Sequence, residues 1–288
     1  MKVVLVGKAN AFVRLIRPVN CLMMGFAVIV GAALADRGIF VQQLQNLLLG
    51  FSTGFFLTGA TMAVNDYYDR EIDAINEPKR PIPSGAIAPK EALAFAFTLT
   101  VVGFLAAMTT NLECLVLAAA SWAVFVLYTT KGKRTGFLGN LMVSICIAVP
   151  FVYGGFVVEG GLTPIAGIFV AIVFLSNTGR EVTKGIVDLE GDREKNIRTV
   201  AVLHGEKKAA VVAAALHIFA VSLTPVPWFL GMVFFWYIPF VVLTDMGLIL
   251  ASSSLLLNPS GENAKRIKNR GLVWFLSGLL AFITGVIG

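Results

Sequence analysis

The chain alternates long apolar runs with shorter polar connections along its whole length. Runs of roughly 17–25 apolar residues are long enough to cross the hydrocarbon core of a bilayer as helices. Nine such runs occur, at about residues 17–35, 44–67, 91–110, 112–130, 138–158, 163–186, 206–226, 231–256 and 270–287. The pattern therefore predicts an all-α, polytopic membrane protein whose nine transmembrane helices form one bundle around a central cavity.

The polar connections carry very different charge on the two sides of this bundle. Those after the first, third, fifth and seventh spans are short and nearly uncharged, whereas the others are rich in lysine and arginine. Of the 23 basic residues, only Arg37 falls on the weakly charged side. Because basic loops stay in the cytoplasm, we expect a multi-pass cell-membrane protein with a cytoplasmic N-terminus. No small-residue cleavage site follows the first run, so this span is expected to act as its own insertion signal.

Composition excludes an ordinary soluble domain. Of the 288 residues, 57% are hydrophobic and 14% are charged, and the mean hydropathy is +0.82, which is typical of a membrane protein. We expect one domain over residues 1–288. The net charge of +6 follows from the basic connections beside anionic lipid headgroups, so the chain is predicted to meet the lipid bilayer and no nucleic acid. The three cysteines share no metal-ligand spacing and are interpreted as packing residues.

One polar stretch interrupts the apolar pattern at the end of the second predicted span. It contains an asparagine and three aspartates, namely Asn65, Asp66, Asp69 and Asp73. On a helix, Asn65, Asp69 and Asp73 are spaced i, i+4, i+8 and share one face. Oxygen ligands on one face suit a hard cation such as Mg²⁺, which proteins usually hold with a few carboxylates and the phosphates of a substrate.

The loop after this stretch contains three prolines and a glycine between residues 77 and 85. Proline lacks a donor N–H and fixes φ, so the helix is expected to end here and the loop to be stiff. Lys79 and Arg80 would then be held near the carboxylates, where they can neutralise a diphosphate bridged by Mg²⁺. The alternative interpretation is a polar interfacial loop that only satisfies the charge rule for topology.

A second polar stretch ends the sixth predicted span. Arg180, Lys184, Asp188 and Asp192 are spaced by four throughout, which gives one stripe of two cations followed by two anions. Charges at this depth usually face the bundle interior or a wet cavity. Asp188 and Asp192 are thus predicted to hold metal, and Lys184 and Arg180 to contact phosphate oxygens. The alternative is a ladder of i, i+4 ion pairs on the helix surface.

Two classes of protein fit paired acidic groups in a membrane bundle. A cation transporter would use Asp66, Asp69, Asp188 and Asp192 to bind the transported ion, and its carboxylates are expected near the bilayer midplane. Here both groups lie at the predicted cytoplasmic ends of helices, beside basic loops that repel cations. This position favours an enzyme acting on an anionic substrate that is chelated through metal.

These motifs resemble those of the UbiA superfamily of intramembrane prenyltransferases. The family pattern N-D-x-x-D-x-x-x-D is matched by Asn65, Asp66, Asp69 and Asp73, and its D-x-x-G-D pattern by Asp188, Gly191 and Asp192. The R-P-x-P-S-G loop is matched by residues 80–85. Arg17-Pro18 with Asn20, and Tyr128 with Lys131, are similar to the ends of the family's first and fourth helices. Asn196 departs from the glycine of many members, although Thr199 is kept.

The resemblance implies a nine-helix bundle with two Mg²⁺ ions, an allylic prenyl diphosphate donor, a lipid acceptor and no obligate protein partner. It implies metal ligands at Asn65, Asp69, Asp73, Asp188 and Asp192. It implies catalytic roles for Asp66, Asp69, Asp188, Asp192 and Lys184. It also implies substrate contacts from Arg17, Asn20, Arg80, Tyr128, Lys131, Arg180 and Lys184. The Tyr128 ring face would stabilise an allylic cation, although an interfacial tyrosine is the alternative.

Residues 180–192 look most like the archaeal members that transfer a geranylgeranyl group from geranylgeranyl diphosphate to the hydroxyl of geranylgeranylglyceryl phosphate. That product is a membrane ether lipid precursor. Residues 65–85 also resemble the chlorophyll-type members. Prenylation of an aromatic acceptor, such as 4-hydroxybenzoate or a quinone or chlorophyll precursor, therefore stays open as the alternative reaction.

Overall fold

The computed structural model describes residues 2–36 and 43–287, and in these two ranges the regular structure is helical. Twelve α-helices follow one another along the described chain. They are α1 Lys2–Ile16, α2 Pro18–Ala35, α3 Leu44–Asn76, α4 Pro89–Thr110, α5 Leu112–Thr130, α6 Phe137–Val157, α7 Pro164–Val187, α8 Leu189–Glu194, α9 Val200–Leu223, α10 Val226–Phe229, α11 Tyr237–Leu257 and α12 Gly261–Ile287.

Within the described ranges, nine of the helical segments are long and apolar enough to cross a membrane. Each corresponds to one predicted span, so the prediction of an all-α bundle with nine spanning helices is confirmed. The direction in which the bundle crosses the membrane stays a prediction. Arg37, the one basic residue predicted on the far side, lies outside the described residues.

Two spanning helices continue well beyond their apolar parts. Helix α3 extends to Asn76 and α12 begins at Gly261, each about nine residues outside the range predicted from hydropathy. The extra turns are polar, and a hydropathy pattern marks only the part of a helix that faces lipid or core. Both polar extensions reach the cavity described below, so each helix contributes polar side chains to that cavity beyond its apolar part.

The seventh and eighth predicted spans begin at other residues in the structure than the apolar pattern predicts. Helix α9 begins at Val200, six residues early, and is kinked at Gly205, whose φ is +82°. The eighth predicted span, 231–256, begins six residues later than predicted, at Tyr237 in α11, and the short helix α10 precedes it. Pro239 accounts for the start of α11, because a proline is tolerated in the first turn of a helix and disrupts its interior.

Helix α1 was not predicted from the apolar pattern. It packs through Ala11 and Leu15 against Ala63 of α3 and Ala92 of α4. An ion pair of 2.6 Å between Lys8 Nζ and Glu91 Oε1 also ties α1 to α4, although such an exposed pair contributes little to stability. The packing places the junction between α1 and α2 beside the polar part of α3.

Helices α2 and α6 pack with their backbones in close contact and form one wall of the bundle. A Cβ added at Gly154 would lie 2.1 Å from the Val28 carbonyl oxygen, and one at Gly31 would lie 2.1 Å from the Phe151 carbonyl oxygen. Small residues permit this approach in membranes, where van der Waals packing drives helix association. A core around Phe169 and Phe282, whose stacked rings are 3.9 Å apart, joins this wall to α7 and α12.

We expect Gly154→Ala to lower the free energy of unfolding by about 3 kcal/mol, since overpacking a tight contact between two backbones forces the helices apart. Thermal unfolding of the purified protein in detergent measures the effect. Gly167→Ala is the matched control, because this helical glycine has no atom within 4 Å of an added Cβ. Equal stability of the two variants would contradict the close packing of α2 on α6.

Candidate active site

A large cavity joins the polar ends of α3 and α7 to an apolar space between the helices, with a volume of about 830 Å³. Its apolar end is lined by Met23, Met24, Val28, Leu57, Trp122, Phe125 and Ile147. Its polar end is lined by Arg17, Asn20, Asn65, Asp69, Asp73, Arg80, Lys133, Arg180, Glu181, Lys184, Asp188, Asp192, Lys265 and Lys268. The two acidic stretches, about 120 residues apart in sequence, thus share one space.

The first acidic group belongs to the polar extension of α3. Asn65, Asp69 and Asp73 line the cavity together, as their spacing of four predicts. Asp66 lies on another face of the helix and does not line the cavity; it is 2% exposed and is held by Arg17 and Arg80. Asp66 therefore contacts two arginines of the cavity wall without lining the cavity itself.

Each aspartate of this group is paired with a cation from elsewhere in the chain. Arg17 Nη2 donates to Asp66 Oδ1 at 2.6 Å, and Arg80 donates both to Asp73 and, at 3.4 Å, to Asp66 Oδ1. Lys133 Nζ donates to Asp69. Burial acts to lower the pKa of Arg80, but the charges of Asp66 and Asp73 outweigh it and hold that pKa above its ordinary value.

Arg17 reaches Asp66 through an uncommon backbone conformation. It lies between α1 and α2 with φ 51° and ψ 73°, in the left-handed region that few non-glycine residues occupy. Pro18 begins α2 directly after it. Residues held in such conformations cluster at functional sites, and here the turn aims the guanidinium of Arg17 at the cavity while Asn20 lines the same wall.

The cation contributed by the loop after α5 is Lys133, not Lys131. Lys131 and Lys79 are exposed, and neither lines the cavity, although Lys79 was predicted to lie near the carboxylates and Lys131 to contact the substrate. Lys133 lies in a short 3-10 turn that ends at Gly136. A Cβ added at Gly136 would lie 1.7 Å from the Arg198 carbonyl oxygen, so glycine lets this loop pack on the loop after α8 and holds Lys133 in place.

The second acidic group lies where α7 passes into α8. Asp188 ends α7, and Asp192 follows one turn later, with its N–H donating to the Asp188 carbonyl at 2.9 Å. Both line the cavity with Arg180 and Lys184, so the four predicted residues are brought together. Burial and the neighbouring charge of Asp188 raise the pKa of Asp192 to about 6. Two carboxylates placed this way favour a shared cation.

The ion pairs on α7 differ from the predicted ladder. Arg180 Nη1 lies 3.2 Å from Glu181 Oε1, and Lys184 Nζ lies 3.8 Å from Glu181 Oε2. Within the described residues, Asp188 and Asp192 have no ion-pair partner at 4 Å or less. Glu181, buried and facing the cavity, thus holds the two cations and leaves the two aspartates for a ligand.

Asn196 keeps the backbone conformation that glycine would take at this position. Its φ is +56°, and asparagine is several-fold enriched among residues with left-handed φ. Thr199 then caps α9, its Oγ1 accepting a hydrogen bond from the Val202 N–H at 3.3 Å. The backbone conformation at Asn196 is therefore one that glycine also adopts readily.

The apolar end of the cavity is formed by α2, α3, α5 and α6. Trp122 and Phe125 line it on α5, one to two turns before Tyr128, which lines the cavity near the polar end. At its far side Tyr153 donates a hydrogen bond to Thr53 Oγ1 at 3.3 Å. The space is suited to a long hydrocarbon chain whose head lies among the carboxylates and cations.

Sequence analysis did not single out Glu181, Lys265 or Lys268. Lys265 and Lys268 lie on the polar extension of α12, which begins just after Ser260, the residue whose Oγ accepts from the Asn263 N–H at 3.4 Å. A serine at this position is a helix start signal, and it would have placed both lysines on a helix rather than in a loop.

The polar end fits a magnesium ion held jointly with a substrate. In the described part of the chain, no three His, Cys, Asp or Glu side chains are close enough together to hold a metal alone. The carboxylates of Asp69, Asp73, Asp188 and Asp192, with Asn65, nevertheless supply oxygen donors around one space. Mg²⁺ usually takes one or two carboxylates and completes its shell with water and substrate phosphates.

Known proteins match this chain along nearly its whole length. The model of the UbiA prenyltransferase family matches residues 24–280. A relative from Archaeoglobus fulgidus named digeranylgeranylglyceryl phosphate synthase is 35% identical over 275 residues, covering 94% of this chain and 93% of its own.

Solved structures share the fold. One, described as concerning digeranylgeranylglyceryl phosphate synthase in membranes, is 31% identical with a TM-score of 0.75 and covers 97% of this chain and 99% of its own. A UbiA homologue from Archaeoglobus fulgidus bound to GPP and Mg²⁺ is 17% identical with a TM-score of 0.66, covering 93% of this chain and 99% of its own. The second likeness concerns the fold alone.

Proposed function

Because this chain belongs to the UbiA prenyltransferase family, we propose that it transfers a geranylgeranyl group from geranylgeranyl diphosphate to the hydroxyl of geranylgeranylglyceryl phosphate. The product is the doubly prenylated ether lipid made by the relatives named digeranylgeranylglyceryl phosphate synthase, which match over more than nine-tenths of the chain. The whole chain acts as one catalytic domain.

The observation that carries this proposal is the shared cavity. Two acidic groups from different helices face one space whose other end is apolar. An allylic diphosphate has the same division, with a highly charged head and a long hydrocarbon tail. The polar end can hold the head through metal and cations, and the apolar end can take the tail.

Magnesium would be held by Asp69, Asp73, Asp188 and Asp192 with Asn65, and we propose two ions. When bound, Mg²⁺ neutralises the diphosphate and stabilises it as a leaving group. The arrangement of the two acidic groups on α3 and on α7–α8 supports one ion for each group.

The chain's own cations bind the rest of the diphosphate. Arg17, Arg80 and Lys133 stand around the α3 aspartates, and charge-assisted hydrogen bonds from Arg and Lys to phosphate are among the stronger contacts in proteins. Asp66 positions the two arginines. These contacts hold the donor so that its C1–O bond lies where the polar and apolar ends meet.

The apolar end then protects the reacting carbon. As the C1–O bond breaks, the diphosphate leaves with the electron pair and an allylic cation forms. The walls around Trp122 and Phe125 keep water away from it, and the ring face of Tyr128 stabilises it. The acceptor hydroxyl oxygen forms the new C–O bond, and its proton passes to the released diphosphate.

We also propose that the polar end opens toward the cytoplasm in the cell membrane. The support is the predicted charge asymmetry, since the basic residues around the cavity, Lys133, Lys265 and Lys268 among them, come from the strongly basic connections.

A direct assay tests the reaction. Purified protein in detergent is given Mg²⁺ and geranylgeranyl diphosphate with either geranylgeranylglyceryl phosphate or 4-hydroxybenzoate, and products are identified by mass spectrometry. We expect an ether-linked digeranylgeranyl product from the first acceptor and none from the second. Product from the aromatic acid alone would contradict the proposed acceptor and assign the chain to ring prenylation.

A further inference from the structure

A second group of cations at the polar end comes from other parts of the chain than the cations that contact the α3 aspartates. It consists of Arg180 and Lys184 on α7 with Lys265 and Lys268 on α12, and we call it the α7–α12 cation group. Arg180 and Lys268 also share a small pocket of about 20 Å³ beside the main cavity. Arg180 of α7 and Lys268 of α12 therefore line the same space.

The two cation groups differ in how far their charge is neutralised by contact. Arg17, Arg80 and Lys133 each contact at least one aspartate. In the α7–α12 cation group, Arg180 and Lys184 share Glu181, and neither Lys265 nor Lys268 lies within ion-pair distance of any carboxylate of the described chain. Four cations against one contacting carboxylate form a ready site for an anion.

The face of α12 that bears the two lysines continues as an apolar surface. Lys265, Lys268, Leu272 and Phe275 all line the cavity and are spaced three, four and three apart, so they follow one face of the helix. Cations thus stand at one end of this face, and apolar side chains follow within two turns. The face matches a lipid whose phosphate and hydrocarbon chain are joined end to end.

We propose that the α7–α12 cation group binds the phosphate of the acceptor lipid, with the acceptor's chain lying along Leu272 and Phe275. The inference rests on the proposed function, in which the acceptor carries a phosphate monoester and the donor's diphosphate occupies the α3 side. A phosphate with about two negative charges takes charge-assisted hydrogen bonds from lysine and arginine. Lys265 and Lys268 are therefore residues that select a phosphorylated acceptor.

The first test separates the two substrates kinetically in the full-length protein. Lys268→Met keeps the apolar stem and removes the charge, and we expect the KM for geranylgeranylglyceryl phosphate to rise about tenfold to a hundredfold, as for a lost hydrogen bond to a charged group. The KM for geranylgeranyl diphosphate should stay within twofold. Lys268→Arg should restore most of the affinity. A rise in the donor KM, or an unchanged acceptor KM, would overturn the proposal.

Two further variants serve as a control and as a second test. Arg266→Met is the matched control, since Arg266 lies on the same helix, is exposed and pairs with Glu262 at 2.5 Å outside the cavity; both KM values should be unchanged. Lys265→Met, at a more exposed position, should raise the acceptor KM in the same way, and it provides the test if Lys268→Met does not fold.

A second measurement identifies the group that is recognised. Native mass spectrometry without Mg²⁺ or donor should detect geranylgeranylglyceryl phosphate on the wild type and at least tenfold less on Lys268→Met, whereas geranylgeranylglycerol, which lacks the phosphate, should bind both equally weakly. Phosphatidic acid, an unreactive lipid with the same phosphate, should compete with the acceptor. Loss of phosphatidic acid binding in Lys268→Met with an unchanged acceptor KM would assign the lysines to membrane lipid and overturn the proposal.

The product made by the wild type and the acceptor KM of the lysine variants distinguish a wrong acceptor site from a wrong reaction. If the wild type makes no ether product from the phosphorylated acceptor, the proposed function is wrong. If the wild type makes it and the lysine variants keep their acceptor KM, only the acceptor site is wrong.

Discussion

Replacing Asp69 by asparagine should reduce the rate of prenyl transfer by at least about a thousandfold, or about 4 kcal/mol of transition-state stabilisation. Asp69 lines the cavity and contacts Lys133. The amide keeps the shape of the side chain and removes the charge that a metal needs. Asp192→Asn on the opposite wall should have an effect of the same size, because each acidic group supplies its own part of the site.

Controls for these variants come from the same helices. Glu71, two residues after Asp69, has an 81% exposed side chain, and Glu194 is an exposed carboxylate on α8. Glu71→Gln and Glu194→Gln should keep nearly full activity, and thermal unfolding should show that all four variants are folded at the assay temperature. If Asp69→Asn and Asp192→Asn both retain activity within tenfold of the wild type, the two-group site is wrong.

Removing divalent metal should abolish turnover while leaving the protein folded. EDTA is expected to reduce product formation to the background rate, and excess Mg²⁺ to restore it, since the diphosphate cannot leave readily without neutralisation. The fold should not change, because Asp66, Asp69 and Asp73 already have cation partners within the chain. The assay is product formation by mass spectrometry with thermal unfolding measured on the same samples.

An EDTA-resistant rate would contradict the metal-dependent reaction. Calcium offers a sharper comparison than chelation alone, since Ca²⁺ is larger and takes six to eight oxygen ligands where Mg²⁺ demands near-octahedral geometry. Calcium should therefore restore much less activity than magnesium at equal concentration.

Much of the bundle could be predicted from hydropathy, because a spanning helix must be apolar for a fixed length. The same reasoning missed α1 and the polar turns of α3 and α12, since a helix that packs through a few alanines or extends into a wet cavity leaves no apolar run. The site was predicted where residues repeat every four positions along one helix, as for Asn65, Asp69 and Asp73.

The site could not be predicted where its members come from separate loops. Lys131 and Lys133 are two residues apart, and only the 3-10 turn and the contact of Gly136 with Arg198 decide which one faces the aspartates. The left-handed backbone of Arg17 gives no sequence signal, since arginine rarely adopts it. Glu181 was not singled out from the sequence, because its role depends on which face of α7 meets the cavity.

The ion pairs around α3 have a consequence for the order of ligand binding. In the free protein, Lys133 pairs with Asp69 and Arg80 pairs with Asp73. The two carboxylates thus take the place of a phosphate beside the cations, and the two cations take the place of a metal beside the carboxylates. A metal arriving alone would leave two cations without partners, and a diphosphate arriving alone would leave two carboxylates without partners. We therefore expect metal and donor to bind with positive cooperativity, so that by reciprocity each raises the affinity of the other by the same factor.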